Sequence, residues 1–281
     1  MPNTGIIVFI LIVAIVVFSY KGFNNRRFFE RYKFRVDNIL LYKDYKRLVT
    51  SGFLHINWMH LFFNVLSLYF FSGAVLSTLG ALEFLVIYFA SLVGGGLLSL
   101  FIHRYHGDYS SVGASGAVCG VMFASVALYP NMGISFFLLP ISIPGWIFAL
   151  AFVLFTIYGI RSRKENVGYE THLGGALVGM LLALGMQPSA FVHNYGTILI
   201  ILAPTVLFIY LIITRPETLF IDNLFYKRHR DYYNIDHQYN AERSDQQQEV
   251  DRILEKISRR GMRSLSRKER ETLKDYSKRV R

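Results

Sequence analysis

Seven stretches of the chain are apolar at nearly every position, and polar or charged segments separate them. They run over about 5–20, 58–79, 82–102, 113–129, 141–160, 169–186 and 196–213. A helix needs roughly 17 to 25 mostly apolar residues to cross a bilayer, so all seven qualify or nearly do. The pattern predicts an all-α polytopic membrane protein. The first stretch also has the position of a cleavable signal peptide. No basic residue precedes it, however, and Ser19-Tyr20-Lys21-Gly22 is not a small-x-small cleavage site, so a retained helix is the expectation. The sixth stretch is the least greasy, because glycines and a histidine interrupt it.

Composition agrees with this pattern. Hydrophobic residues make up 53% and aromatic residues 16% of the 281 positions, and the mean hydropathy is +0.34, too apolar for an ordinary soluble domain. The single cysteine, Cys119, excludes an intramolecular disulfide. Between the first two stretches, Lys21 to His55 is rich in aromatic and basic side chains and suits the membrane interface. After Thr214 the chain turns polar. The expected division is a membrane domain over 1–213 and a basic soluble tail over 214–281. Ile253, Leu254 and Ile257 have helical spacing, Gly261 fits a C-cap, and Ser266-Arg267-Lys268-Glu269 reads as a capping box, which predicts a helical hairpin at about 250–278. Its cations could meet anionic lipid or nucleic acid, but a solvated charged face is the expectation and no nucleic-acid partner is expected.

Polar side chains inside spans are costly and therefore mark sites. In the second stretch, His60 and Asn64 are four residues apart on one helix face, behind Asn57 as N-cap. Interhelical hydrogen bonding is the competing reading. The fourth stretch opens Gly113-Ala114-Ser115-Gly116 and carries Gly116, Gly120 and Ala124 at intervals of four. The sixth carries His172, with Gly175, Gly179 and Ala183 at the same interval. A serine nucleophile needs a base within about 2.6 to 3.2 Å, whereas helices normally pack about 8 to 10 Å apart. If the two glycine ridges meet, that distance shrinks and His172 can reach Ser115. A packed structural histidine remains the alternative. Cys119 is expected to be an inert buried thiol.

Taken in order, His55-x-x-x-x-His60-x-x-x-Asn64, Gly113-x-Ser115-Gly116 and His172-x-x-Gly175-x-x-x-Gly179 resemble the rhomboid family of intramembrane serine proteases. The resemblance covers about residues 5–190, a six-helix core, and leaves 196–213 as an extra seventh helix. It implies a Ser115–His172 dyad without an aspartate, and an oxyanion hole made by Asn64, His60 and the Ser115 backbone N–H. It also implies structural roles for His55, which would anchor the first loop through that loop's backbone, and for Arg47. The implied substrates are single-pass transmembrane proteins in the lipid bilayer, and no metal or cofactor is expected. The fifth helix and the loop near Pro140 to Pro144 are implied as candidates for lateral gating. This sequence departs from the family pattern at Lys46, at Thr171 and at Cys119, where a tyrosine that stacks on the histidine is usual.

A cell membrane, plasma or inner, is the expected location, and its sidedness is contested. The cations number 9 in the first loop, 1 at Arg104, 3 over 161–164 and 17 after 214, and the opposite side holds none. The positive-inside rule puts the first loop and the site mouth in the cytoplasm, whereas the resemblance implies an extracytoplasmic mouth. Two other functions compete with proteolysis. A non-catalytic rhomboid-like binder of membrane clients generally lacks the serine or the histidine, and both are present here. A proton-relaying transporter predicts internal repeats, and none are seen.

Overall fold

A computed structural model describes residues 4–135, 142–162, 168–214, 250, 253–254, 256–258 and 261–279. The chain divides into two compact units, 1–227 and 228–281. In the first unit, helix α1 spans Thr4–Asn24. The segment expected as an interfacial loop is largely helical, with α2 (Arg26–Tyr32), α3 (Val36–Leu40), α4 (Arg47–Thr50) and a 3-10 turn at Ser51–Phe53. A two-residue strand β1 (Phe34–Arg35) pairs antiparallel with β2 (Ser110–Ser111). The bundle itself is α5 (Trp58–Thr78), α6 (Ala81–Ile102), α7 (Ser115–Leu128), α8 (Gly145–Ser162), α9 (Tyr169–Met186) and α10 (Pro188–Thr214).

Among the described residues, four helices are long and apolar enough to cross a membrane: Gly5–Asn24, Trp58–Thr78, Ala81–Ile102 and Pro188–Thr214. The chain is a mostly helical, multi-pass membrane protein. Three expected spans do not reach that standard. The expected 113–129 shrinks to α7, 14 residues or about 21 Å of helix. The expected 141–160 begins at Gly145, because Ser142–Pro144 (β4) instead pairs with Gly133–Ser135 (β3). The helix expected over 169–186 forms as α9, but Glu170 and His172 in its first turn lower its hydropathy. The physical reason is burial in protein. Every residue from Gly116 to Leu128 is buried, so α7 is walled by its neighbours and need not match the thickness of the lipid. The expected break before 196 is a kink at Asn194 (φ −126°, ψ 20°), and helix extends back to Pro188.

Small residues let α6, α7 and α9 approach at backbone distance. A Cβ added to Gly175 would drive into the Gly116 carbonyl oxygen, and one on Gly179 into the Gly120 backbone. On the other side, α6 contributes Gly94 and Gly95, whose added Cβ atoms would strike Val178 and the Thr171 carbonyl oxygen. A Cβ on Gly116 would lie 2.8 Å from Thr171 Cγ2, so Thr171 fills the crevice that these glycines leave.

Within the second unit, Gly261 takes φ +73°, a left-handed conformation that suits glycine, and its N–H donates to the Ile257 carbonyl oxygen at 2.8 Å. Helix α11 (Arg267–Arg279) follows. Ser266 and Glu269 cap each other reciprocally, with Ser266 N–H to Glu269 Oε2 at 2.8 Å and Glu269 N–H to Ser266 Oγ at 3.2 Å. Lys256 Nζ lies 2.7 Å from Glu269 Oε2 and joins the residues before the turn to those after it.

Candidate active site

Helices α5, α7 and α9 enter the bundle from the same end, with His60, Ser115 and His172 on their first turns and Asn64 one turn further along α5. Asn57 caps α5, its side-chain oxygen accepting from His60 N–H at 2.8 Å. His60 Nε2 would lie 2.9 Å from a Cβ on Gly113, and that same Cβ would lie 3.6 Å from Ser115 Oγ. Gly113 takes φ +133°, which any side chain would strain, so its glycine both permits the bend into α7 and leaves room for the His60 ring. Ser115 is the first residue of α7, where the opening N–H groups of a helix have no intrahelical acceptor and the dipole is positive.

Across the glycine contact, His172 Nε2 lies 2.8 Å from Ser115 Oγ. Both side chains are partly buried, so the pair is neither sealed in the core nor on open surface. His172 also has aromatic neighbours: Tyr169 meets it edge-on and Phe152 of α8 is tilted against it, each with centroids 6.2 Å apart. Neither ring lies one turn below Ser115. The position there is Cys119, a buried free thiol, and the histidine is flanked instead from α8 and from its own helix.

Asn64 is buried, and its amide donates to the His60 carbonyl oxygen at 2.8 Å, within its own helix. A carboxamide carries two N–H donors, so this bond leaves one for another acceptor.

His55 does not act as expected. Its bonds go to α1 and to the entry of α7, not to the backbone of its own loop. Ser19 Oγ donates to the Phe53 carbonyl oxygen at 3.0 Å and lies 2.8 Å from His55 Nδ1. The hydroxyl proton is thereby committed, so Nδ1 carries the ring proton and Nε2 accepts from Ala114 N–H at 3.4 Å. Ser19 supplies the contact with the loop backbone that was expected of His55. Burial, with a smaller push from His60, holds the His55 pKa down at about 3. An unfolded histidine titrates near 6.5, so below that pH the unfolded chain binds a proton that the folded one refuses. Stability from this group is complete above about pH 6.5 and falls by roughly 1.4 kcal/mol per unit as pH drops toward 3. Thermal unfolding between pH 7.5 and 4.5 should show this slope, and His55→Gln should flatten it by one proton. An unchanged slope in that variant would remove His55 as the cause.

Arg47 is buried and stitches the first loop together. Its Nε lies 2.9 Å from Asp44 Oδ2, and its guanidinium donates to the carbonyl oxygens of Glu30 at 3.0 Å and Lys33 at 2.7 Å. Of the loop implied for lateral gating, only Ser142–Pro144 lies among the described residues; it leads into α8, the fifth expected span, whose Phe152 is tilted against His172.

Sequence reasoning passed over Glu170, Ser99, His103 and Tyr109, which form a buried polar cluster at the start of α9. An acid in a glycine-rich span was a visible signal. Its partners, drawn from the end of α6 and a loop, were not.

A multi-pass helical bundle with a serine and a histidine in contact at its partly buried mouth defines a class of membrane proteins. A sequence model of the rhomboid domain matches residues 42–189, and the chain belongs to the rhomboid family. A second model, for a family of unknown function, matches 233–279. Similar curated proteins include the mitochondrial Rhomboid protein 1 of Saccharomyces cerevisiae, 33% identical over 162 residues that cover 55% of this chain and 45% of the yeast protein. The chloroplastic Rhomboid-like protein 11 of Arabidopsis thaliana is 32% identical over 169 residues, covering 55% of this chain and 59% of that one. Rhomboid protease GluP of Bacillus subtilis is 29% identical over 179 residues, covering 62% of this chain and 33% of that one. The chain thus matches less than two thirds of the length of each of these relatives.

Proposed function

We propose that the chain is a serine endopeptidase that cleaves transmembrane segments of single-pass membrane proteins. The observation that carries this is the 2.8 Å contact between His172 Nε2 and Ser115 Oγ at the positive end of α7. Ser115 Oγ attacks the scissile carbonyl carbon while His172 Nε2 takes its proton. The carbonyl oxygen becomes an oxyanion, and the C–N bond then breaks as His172 returns the proton to the leaving amine. Water, activated by His172, releases the acyl group from Ser115.

The oxyanion is assigned to the Ser115 N–H, the second Asn64 N–H and the His60 ring, because donors fixed before charge develops stabilise it most. Their source is architectural: three parallel helices bring their positive ends to the one place where negative charge must form. Helix α7 is about 21 Å long against a hydrocarbon layer of about 30 Å, which supports a site recessed below the membrane surface and reached by water through its half-open mouth. The Bacillus subtilis relative is named as a rhomboid protease, which supports the same reaction class.

Fluorophosphonate labelling of the full chain in detergent tests the reading. Wild-type protein should take one label, mapped by peptide mass spectrometry to Ser115, and His172→Ala should slow the labelling by orders of magnitude. Label on another serine, or equal labelling of the His172 variant, would refute the dyad.

A further inference from the structure

One oxygen outside the dyad collects three polar partners. Glu170, in the first turn of α9, is buried. Its Oε1 accepts from Ser99 Oγ at 3.0 Å and from the Tyr109 hydroxyl at 2.5 Å, and it lies 3.1 Å from His103 Nε2. Ser99 is in the last turn of α6, His103 caps that helix, and Tyr109 leads into β2. The His103 ring stacks flat on Tyr109, with 3.6 Å between centroids and 6° between planes. A carboxyl at the buried end of a membrane helix is costly unless its lone pairs are engaged, and this one is engaged from two separate elements. The proposed chemistry makes no direct use of it.

The placement of Glu170 on the helix gives it a task. Residues 170 and 172 stand about 200° apart around a helix axis, so Glu170 holds one face of the first turn to α6 while His172 reaches from the other face to α7. Near the first turn of α9 the helices meet largely through glycines: Gly95 faces the Thr171 carbonyl oxygen and Gly175 faces the Gly116 carbonyl oxygen, while the side-chain contacts of Val178 and Leu98 with Gly94 and Gly174 lie further along α9. Close backbone contacts of this kind set the separation of the helices, and a polar anchor in the first turn adds a constraint on its rotation. Side-chain tips lie about 5 to 6 Å from the axis, so a roll of about 20° carries the imidazole about 2 Å, enough to break its bond to Ser115.

We infer that Glu170 is a positioning residue: the donors gathered on its Oε1 fix the rotation of the first turn of α9 and thereby the His172–Ser115 geometry. This rests on the dyad reading above.

The test uses the full chain with Glu170→Leu, Glu170→Gln and Tyr109→Phe. Cleavage of a transmembrane reporter is normalised to the number of sites that fluorophosphonate labels at completion. Leucine removes the acceptor and should lower kcat per labelled site about 10- to 100-fold while KM stays within about threefold of wild type, the cost of an ångström-scale misplacement. Glutamine keeps an oxygen at the Oε1 position and should restore most of that loss. Tyr109→Phe removes one donor, should fall between them, and carries the test if the leucine variant fails to fold. A merely structural role would reduce the number of labelled sites and leave kcat per site unchanged, and that result overturns the inference. Equal losses in the glutamine and leucine variants also overturn it, because charge and not the oxygen would then be responsible. If wild-type protein neither labels at Ser115 nor cleaves, the dyad reading itself fails and takes this inference with it, a failure visible before any Glu170 variant is measured.

Discussion

Ser115→Ala should lower kcat for a transmembrane reporter by at least about 10⁴-fold, the scale on which removal of the serine nucleophile acts in characterised serine proteases. The fold should survive. The substitution deletes one hydroxyl and its 2.8 Å bond to His172, and a single hydrogen bond contributes a net of about 1 kcal/mol, so thermal unfolding should shift by only a few degrees. His172→Ala should cost nearly as much activity as Ser115→Ala. The double variant should fall little below either single one, because two residues that act as one unit are not additive. Cleavage rates of the three variants in liposomes, with unfolding curves alongside, make the comparison. Residual activity above a thousandth of wild type in the serine variant would mean that another group attacks the carbonyl. Additive losses would mean that Ser115 and His172 act separately.

The helical, membrane-embedded character of the chain was legible because its signal is redundant. Long apolar runs, few charges inside them and interfacial aromatics all state the same thing. The neighbours of the site were legible where the sequence carried a periodicity: glycine at intervals of four on two spans predicted two flat faces, and the structure puts Gly116 against Gly175 and Gly120 against Gly179. Helix α6 escaped notice although Gly94-Gly95-Gly96 stands in the middle of its span, because three adjacent glycines point in three directions and form no ridge. His55 was assigned the wrong partners for a similar reason. Its contacts with Ser19 and Ala114 cross 36 and 59 residues of chain, and no spacing rule encodes which hydroxyl a histidine will meet at that distance. The aromatic flank of His172 was sought at position 119 and is provided by Tyr169 and by Phe152 of a different helix. Local pattern therefore identified His60, Asn64, Ser115 and His172 and the pairing of the last two, but passed over Glu170 and its partners Ser99, His103 and Tyr109, which come from another helix and a loop.

The same packing argument yields the second large effect, in a residue that touches no substrate. At Gly175, an added methyl would collide with the Gly116 carbonyl oxygen and its carbon, both backbone atoms one residue from Ser115. No side chain can turn aside to make room, so α7 and α9 must separate. Overpacking of this kind costs about 1 to 3 kcal/mol and sometimes more. The larger consequence is functional, because the distance between these two helices is the distance between Ser115 and His172. An opening of about 1 Å should cost about 100-fold in kcat, so Gly175→Ala should lose activity out of proportion to its loss of stability, and Gly175→Val should lose both. Gly185, on the same helix, has open space around its Cβ position, and Gly185→Ala should leave cleavage near wild type. Unfolding temperature and kcat, measured together on these three variants, separate the two effects. Wild-type kcat in folded Gly175→Ala would show that the glycine contact does not set the dyad distance, and the dyad would then owe its geometry to the polar anchors at the mouth of α9 instead.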